Sequence, residues 1–119
     1  MTITQGDAGG IVFRADETRE TYYLFRIGSD GSYALDIYNN NHYLSTLKSG
    51  PSSTINTGLN QSILVAVVAN GSNIDLYVNN TNIDSVSDGT YSQGEIGLAA
   101  VSFGNPTEAV FSNAQVWTF

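Results

Sequence analysis

Five residues pose the chemical question in this sequence: Arg14, Tyr22, Arg26, Asp36 and Tyr38. A guanidinium fork presents planar paired donors to carboxylates, hydroxyls and peptide carbonyls, and a phenol presents an apolar ring with a polar tip. Two such cations sharing one surface with a carboxylate and two tyrosines would suit a sugar, a carboxylate or a peptide as ligand. The same residues also read as a cross-strand ion pair that satisfies a sheet face and binds nothing.

Other chemistry-bearing residues lack partners. His42 is the sole histidine, between the ordinary turn-edge residues Asn41 and Tyr43, so it reads as a surface residue with no Ser-His-Asp set or metal site around it. Asp7, Asp16, Asp30, Asp84 and Asp88 fall in turns, from which oxygen-ligand Ca²⁺ sites can be built. None lies in a compact D-x-D-x-D-G pattern, and they read as aspartates placed by local turn preference. The chain has no cysteine, which excludes disulfides, thiolate metal sites and a cysteine nucleophile. Trp117 could stack on a sugar ring, but in a final apolar strand it reads as core. Sequons at Asn60, Asn70 and Asn79 read as chance in an Asn- and Ser-rich chain. No catalytic residue, metal or cofactor is expected.

Alternation is what would bring the five residues together. Between Gly9 and Tyr38, apolar residues alternate through Ile11 and Phe13, through Tyr23, Phe25 and Ile27, and through Tyr33, Leu35 and Ile37. Three strands with one buried face follow, and the opposite phase carries Arg14, Tyr22, Arg26, Asp36 and Tyr38. Turns are expected at Asp16 to Glu20 and at Ser29-Asp30-Gly31-Ser32, and again at Asn39-Asn40-Asn41 before a strand from His42 to Lys48. Ser49 to Leu59, with Pro51, reads as a loop crossing between sheets. Ile63 to Ala69 is apolar on both parities and is expected to be a central strand covered on both faces. Asn70-Gly71 then signals a hairpin into Ile74 to Val78, and Asn79-Asn80 another into Ile83 to Val86. Glu95 to Val101, with Ile96, Leu98 and Ala100 facing in, and Ala109 to Phe119 complete about ten strands. In the last of these Phe111 and Val116 have opposite parity, which calls for a bulge or two buried faces.

At 119 residues the chain, 1–119, is expected to form a single domain. Few Glu and Lys residues and many Gly, Asn, Ser and Thr residues favour strands and turns over helices. A net charge of -7 and a pI near 4.1 give no electrostatic grip on nucleic acid or anionic membrane. No apolar run approaches the roughly 20 residues a helical membrane span needs. Met1 to Gln5 already reads as a strand, so a segment preceding it in a longer parent is expected.

In order along the chain, GGIVFRA, YYLFRIGSDGSYAL, IDLYVNNTNIDSV, GEIGLAA and VFSNAQVW resemble the concanavalin A-like superfamily, in its laminin G-like and three-keto-disaccharide hydrolase-like branch. The resemblance spans essentially the whole chain. It implies an all-β antiparallel β-sandwich of jelly-roll type, extracellular or cell-surface placement, and sugar or protein binding on the concave sheet or its rim. It also implies further strands before Met1. Laminarinase-like enzymes of the superfamily carry a Glu-x-Asp-x-Glu strand, and Ala34-Leu35-Asp36-Ile37-Tyr38 lacks both outer carboxylates. Retaining hydrolysis needs two carboxyl groups about 5 Å apart, so glycosidase activity is not expected.

The leading expectation is a non-catalytic extracellular binding module for glycan or protein, with Arg14, Tyr22, Arg26, Asp36 and Tyr38 as the ligand-binding residues. A different class of function is an assembly subunit: the strand Met1 to Gln5, or its neighbour, would leave an open sheet edge that pairs with another copy as a homo-oligomer or filament. A degenerate glycoside hydrolase-like domain is the third.

Overall fold

The computed structural model describes residues 1–115. Their regular structure is all strand: β1 Thr2–Gln5, β2 Ala8–Asp16, β3 Thr21–Gly28, β4 Ser32–Asn39, β5 His42–Pro51, β6 Val65–Asn70, β7 Asn73–Val78, β8 Thr81–Ser87, β9 Glu95–Val101 and β10 Glu108–Val110. Every pairing is antiparallel. One layer is a five-stranded sheet in the order β5-β4-β3-β2-β9. The other joins β10-β1 to β6-β7-β8 through the lead-in to β6. Thr2 bridges Ser62, the Ile63 N–H donates to the Met1 carbonyl at 2.8 Å, and the Asn60 N–H donates to the Ile3 carbonyl at 2.8 Å.

The inward phase of β2, β3 and β4 forms the core as expected, but the opposite phase is not open throughout, since Leu24, Ala34 and Asp36 on it are buried as well. Phe13, Tyr23, Phe25, Ile27, Tyr33, Leu35 and Ile37 are buried and pack against Ile74, Leu76 and Val78 of β7, with Ile55 and Ile63 closing the core and Ile11 packed at its border. Burying these side chains contributes roughly 1.5–3 kcal/mol each before the entropy of ordering the chain is counted. The phenols of Tyr23 and Tyr33 enter this core because each finds an acceptor. Tyr23 donates to the Asp88 carboxylate, and Tyr33 to that of Asp84 at 2.7 Å. The asparagine turns form as expected: Asn40 and Asn41 have φ of 52° and 60°, Asn79 and Asn80 of 50° and 66°. Such paired left-handed residues match the twist of a tight hairpin, and asparagine tolerates them.

Several expectations fail for identifiable reasons. β1 is no open edge: β10 flanks it on one side and residues 60–63 on the other, so its backbone groups are satisfied within the chain. Its neighbour β10 is the outer strand of that layer among the described residues. β5 runs on to Pro51 because Gly50 and Pro51 still pair with Tyr33 and Ser32, which shortens the expected crossing loop. β6 is not the expected central strand covered on both faces: it ends the ladder β6-β7-β8, only its lead-in reaches β1, and its residues 65–69 are half-buried. On β9, Ile96 and Leu98 share the phase of Ile11, yet each is 47% exposed, because β9 is an edge strand beyond most of the opposing layer. The last strand is short, Glu108–Val110; residues 111–115 lie outside any strand. Val116 and Trp117, with the readings that rest on them, lie outside the described residues.

Candidate functional site

Strand register decides which expected site residues meet. Tyr22 pairs with Tyr38, Leu24 with Asp36 and Arg26 with Ala34, so Arg26 and Asp36 are diagonal neighbours on the outward face of β3 and β4. Diagonal positions are within reach of long side chains. The Arg26 Nε–H donates to Asp36 Oδ2 at 2.7 Å, and the Thr46 hydroxyl of β5 donates to Asp36 Oδ1 at 2.7 Å. With both oxygens occupied and only 2% of the residue exposed, Asp36 is turned to orienting Arg26 and reaches no solvent.

The guanidinium carbon of Arg26 lies 4.9 Å from the ring centroid of Phe103, a cation–π contact. Phe103 projects from the loop between β9 and β10 and is 62% exposed. Asp7, in the turn between β1 and β2, holds that loop: it accepts from the Phe103 N–H at 2.6 Å and from the Asn105 side-chain amide at 3.0 Å. Those two donors, the Asn105 amide foremost, hold the Asp7 carboxyl below the usual carboxylate range. The same turn anchors the β3–β4 turn, since the Ser29 N–H donates to the Asp7 carbonyl at 2.8 Å.

Between these loops lies a cleft of about 390 Å³ lined by Asp7, Arg26, Gly28, Ser29, Asp30, Ser32 and Phe103. Asp30 accepts from the Ser32 hydroxyl and from its N–H, and these bonds, the hydroxyl first, lower its carboxyl below the usual range. Among the described residues Arg26 makes no hydrogen bond beyond Nε–H, which leaves its terminal nitrogens as donors beside an exposed ring. Such a cleft can give and accept hydrogen bonds around a small polar ligand while offering it one apolar face.

At the other end of the same face is a tyrosine row. Tyr22 and Tyr38 stack with centroids 4.6 Å apart and planes at 14°, and Tyr43 meets Tyr38 edge-on at 6.1 Å. Burial, with the Glu20 charge second, raises the Tyr22 phenol; burial, with Asp36 second, raises that of Tyr38. The Tyr43 and Thr46 hydroxyls are 2.9 Å apart, so one hydrogen-bonded line runs from Tyr43 through Thr46 and Asp36 to Arg26.

Arg14 does not join this face. Continued register after the Phe13–Tyr23 pair would set it opposite Tyr22 and outward, but the ladder breaks between Phe13 and Asp16 and Arg14 takes φ of 50°. The bulge turns its side chain to the core side. There its guanidinium donates to the Tyr91 carbonyl at 3.0 Å, beside the Tyr23 phenol that accepts from the Tyr91 N–H at 3.2 Å. A strict two-residue period cannot anticipate a bulge, although three short-range changes of character at Arg14-Ala15-Asp16 mark the end of clean alternation.

The turn aspartates do more than cap turns. Asp16 accepts from the Thr18 and Arg19 N–H groups, as local preference implies, but Asp84, which lies within β8 and not in the expected turn, and Asp88 anchor buried tyrosines. His42 is exposed. Among the described residues no three His, Asp or Glu side chains are grouped to hold a metal ion. Sequence reasoning missed Phe103, Tyr43 and Thr46, and read Asp7 only as a turn aspartate. The signal for Phe103 was an aromatic residue set between turn formers in Ser102-Phe103-Gly104-Asn105-Pro106.

No family model matches the chain, and no curated protein matches it. Among solved structures it is similar to the carbohydrate-binding module CBM66 from Bacillus subtilis, with a TM-score of 0.70 and 19% identity over 82% of this chain and 62% of that one. The chain thus spans less than two thirds of the length of the module it matches. Likeness at this level of identity is likeness of fold, and the fold shared is an antiparallel β-sandwich.

Proposed function

We propose that this chain is a non-catalytic glycan-binding module, of concanavalin A-like jelly-roll type in the laminin G-like branch, acting outside the cell or at its surface. The observation that carries the reading is Arg26: oriented by Asp36, seated on the exposed Phe103 ring, and opening its terminal nitrogens onto a polar cleft. Sugars need such a mixture, since their hydroxyls both donate and accept while their ring faces are apolar. The carboxylates of Asp7 and Asp30 beside one cation favour neutral sugars over acidic ones. The carbohydrate-binding module whose fold the chain resembles supports the same reading. A hydrolytic role is disfavoured because Asp36, on the strand where related enzymes carry their acids, has both oxygens bonded.

The test is a glycan array followed by titration of the hits with wild type and Arg26→Ala. Affinity should fall at least about tenfold, or about 1.4 kcal/mol, on substitution. Equal binding by the two proteins would remove this face as the site.

A second reading, self-association through a sheet edge, is favoured by β9, an edge strand with Ile96 and Leu98 half-exposed and no charge or proline from Ile96 to Val101. Solution mass decides it: a monomer at high concentration rules the assembly out.

A further inference from the structure

We infer that the binding face is extended: it takes a neutral sugar chain of about three or more units laid along β3 and β4, one end in the Arg26–Phe103 cleft and the other against the tyrosine row. This rests on the glycan-binding reading above and specifies the ligand as a chain rather than a single sugar.

Spacing is the first argument. Arg26 is paired with Ala34, and the tyrosine row is at Tyr38, four residues further along β4. At roughly 3.3 Å per residue the two ends stand about 13 Å apart, more than one sugar ring can bridge. The second argument is relief. Register places Leu24, Ala34, Val12 and Gly10 on the outward face between or beside the two ends; Leu24 and Ala34 are only 4% and 1% exposed, closed in by their neighbours, so neither projects from the face into the path of a chain. Asp36 lies in that floor but is buried and fully bonded, and so presents no bare charge to a ligand.

The bulge at Arg14 supplies the third argument. By withdrawing to the core side, Arg14 takes a long cationic side chain away from the position beside Tyr22. A neutral, low floor is left between a cleft rich in hydrogen-bonding groups and a group of aromatic rings, of which Tyr43 is 56% exposed. Rings of a chain can lie on such a floor and against tyrosine, while the hydroxyls of its terminal unit meet Arg26 and the cleft.

The experiment is calorimetric titration with gluco-, manno-, xylo- and fructo-oligosaccharides, each from the monosaccharide to the hexasaccharide. Wild type is compared with Tyr43→Ala, Tyr43→Phe and Phe103→Ala, all at exposed positions where folding is not at stake. In the series that binds, affinity should rise at least about tenfold between the mono- and tetrasaccharide and then level off. Tyr43→Ala should abolish that rise, costing the tetrasaccharide far more than the monosaccharide, Tyr43→Phe should preserve the rise, and Phe103→Ala should weaken every member. An affinity independent of length, or a Tyr43→Ala loss equal for all members, overturns the extended face while leaving the cleft as a glycan site. Absence of binding across every ladder and on the array overturns the glycan reading itself, and the extended face with it.

Discussion

Arg14 and Arg26 begin as equivalents, each on the outward phase of its strand, and finish on opposite sides of one sheet. Arg14, at 8% exposure, gives its guanidinium to the Tyr91 carbonyl and helps pin the 88–94 loop against the core. Tyr23, Asp88 and Tyr91 complete that arrangement, with the Tyr91 hydroxyl donating to the Tyr38 carbonyl at 2.7 Å. Arg26 keeps its terminal nitrogens toward solvent beside an exposed ring. One arginine is consumed by the fold and the other is held ready by it. The difference arises in the backbone, in a single bulge, and not in the side chains.

The comparison breaks most directly through stability. Arg14→Ala removes a charge-assisted hydrogen bond and a buried stem, and should cost about 2–3 kcal/mol in urea unfolding. Arg26→Ala should cost about 1–2 kcal/mol, because Asp36 keeps Thr46 as a donor and water can replace the guanidinium. In glycan titration the order reverses, with Arg14→Ala binding as wild type does. If both variants lost stability and affinity in the same proportion, the division between the two arginines would be wrong.

Alkaline unfolding sharpens the structural side. Burial, with the bond to Asp88 second, pushes the Tyr23 phenol up to about 12. For Tyr33 the bond to Asp84, with burial second, does the same, also to about 12. Both pKa values are raised above the ordinary 10.0, so the stability they confer is complete below pH 10 and is lost as pH rises toward about 12. Asp88 behaves in the opposite sense. Burial works against its charge, but the Tyr23 hydroxyl and the Thr90 N–H outweigh that and leave it below 3.8, so its contribution is present above that pH and lost only in stronger acid. Tyr23→Phe should lower stability by about 1 kcal/mol at neutral pH and flatten the alkaline limb of the stability curve. An alkaline limb unchanged in Tyr23→Phe would remove this phenol from the account.

Much of this was legible in the sequence, and what was not has a common cause. Alternation through β2, β3 and β4 assigned the core face residue by residue, and the Asn-Asn turns fixed their hairpins, because both are local signals. Tyr22, Arg26, Asp36 and Tyr38 share a face as that period implied. Arg14 left it because a bulge adds a residue without changing composition. Phe103 and Asp7 were hidden for another reason: they lie 96 positions apart and meet only through loop closure, which no local pattern records. The exposure of Ile96 and Leu98 likewise depends on how far the opposing layer reaches, a property of the assembled sandwich.

The smallest expected effect falls on Asp7, which touches the functional side of the comparison without being an arginine partner. Its carboxylate is exposed and holds the Phe103 loop through the Asn105 amide and the Phe103 N–H, so its task is positioning and it adds little to stability. Its pKa is depressed in the folded protein. The loop is therefore held at every pH above the ordinary carboxylate value and loosens only as pH falls through the lower folded value. Glycan affinity should accordingly be flat from neutral pH down to about pH 4 and decline below it, while the fold persists. Asp7→Asn removes the charge and one acceptor oxygen but keeps the side-chain shape. It should weaken binding about two- to fivefold, less than one hydrogen bond's worth, and move the melting temperature little. Its affinity should then lack the acid decline. An Asp7→Asn protein that bound as tightly as wild type and kept the same acid decline would show that Phe103 needs no clamp, and that the cleft is held open by the β-sheet alone.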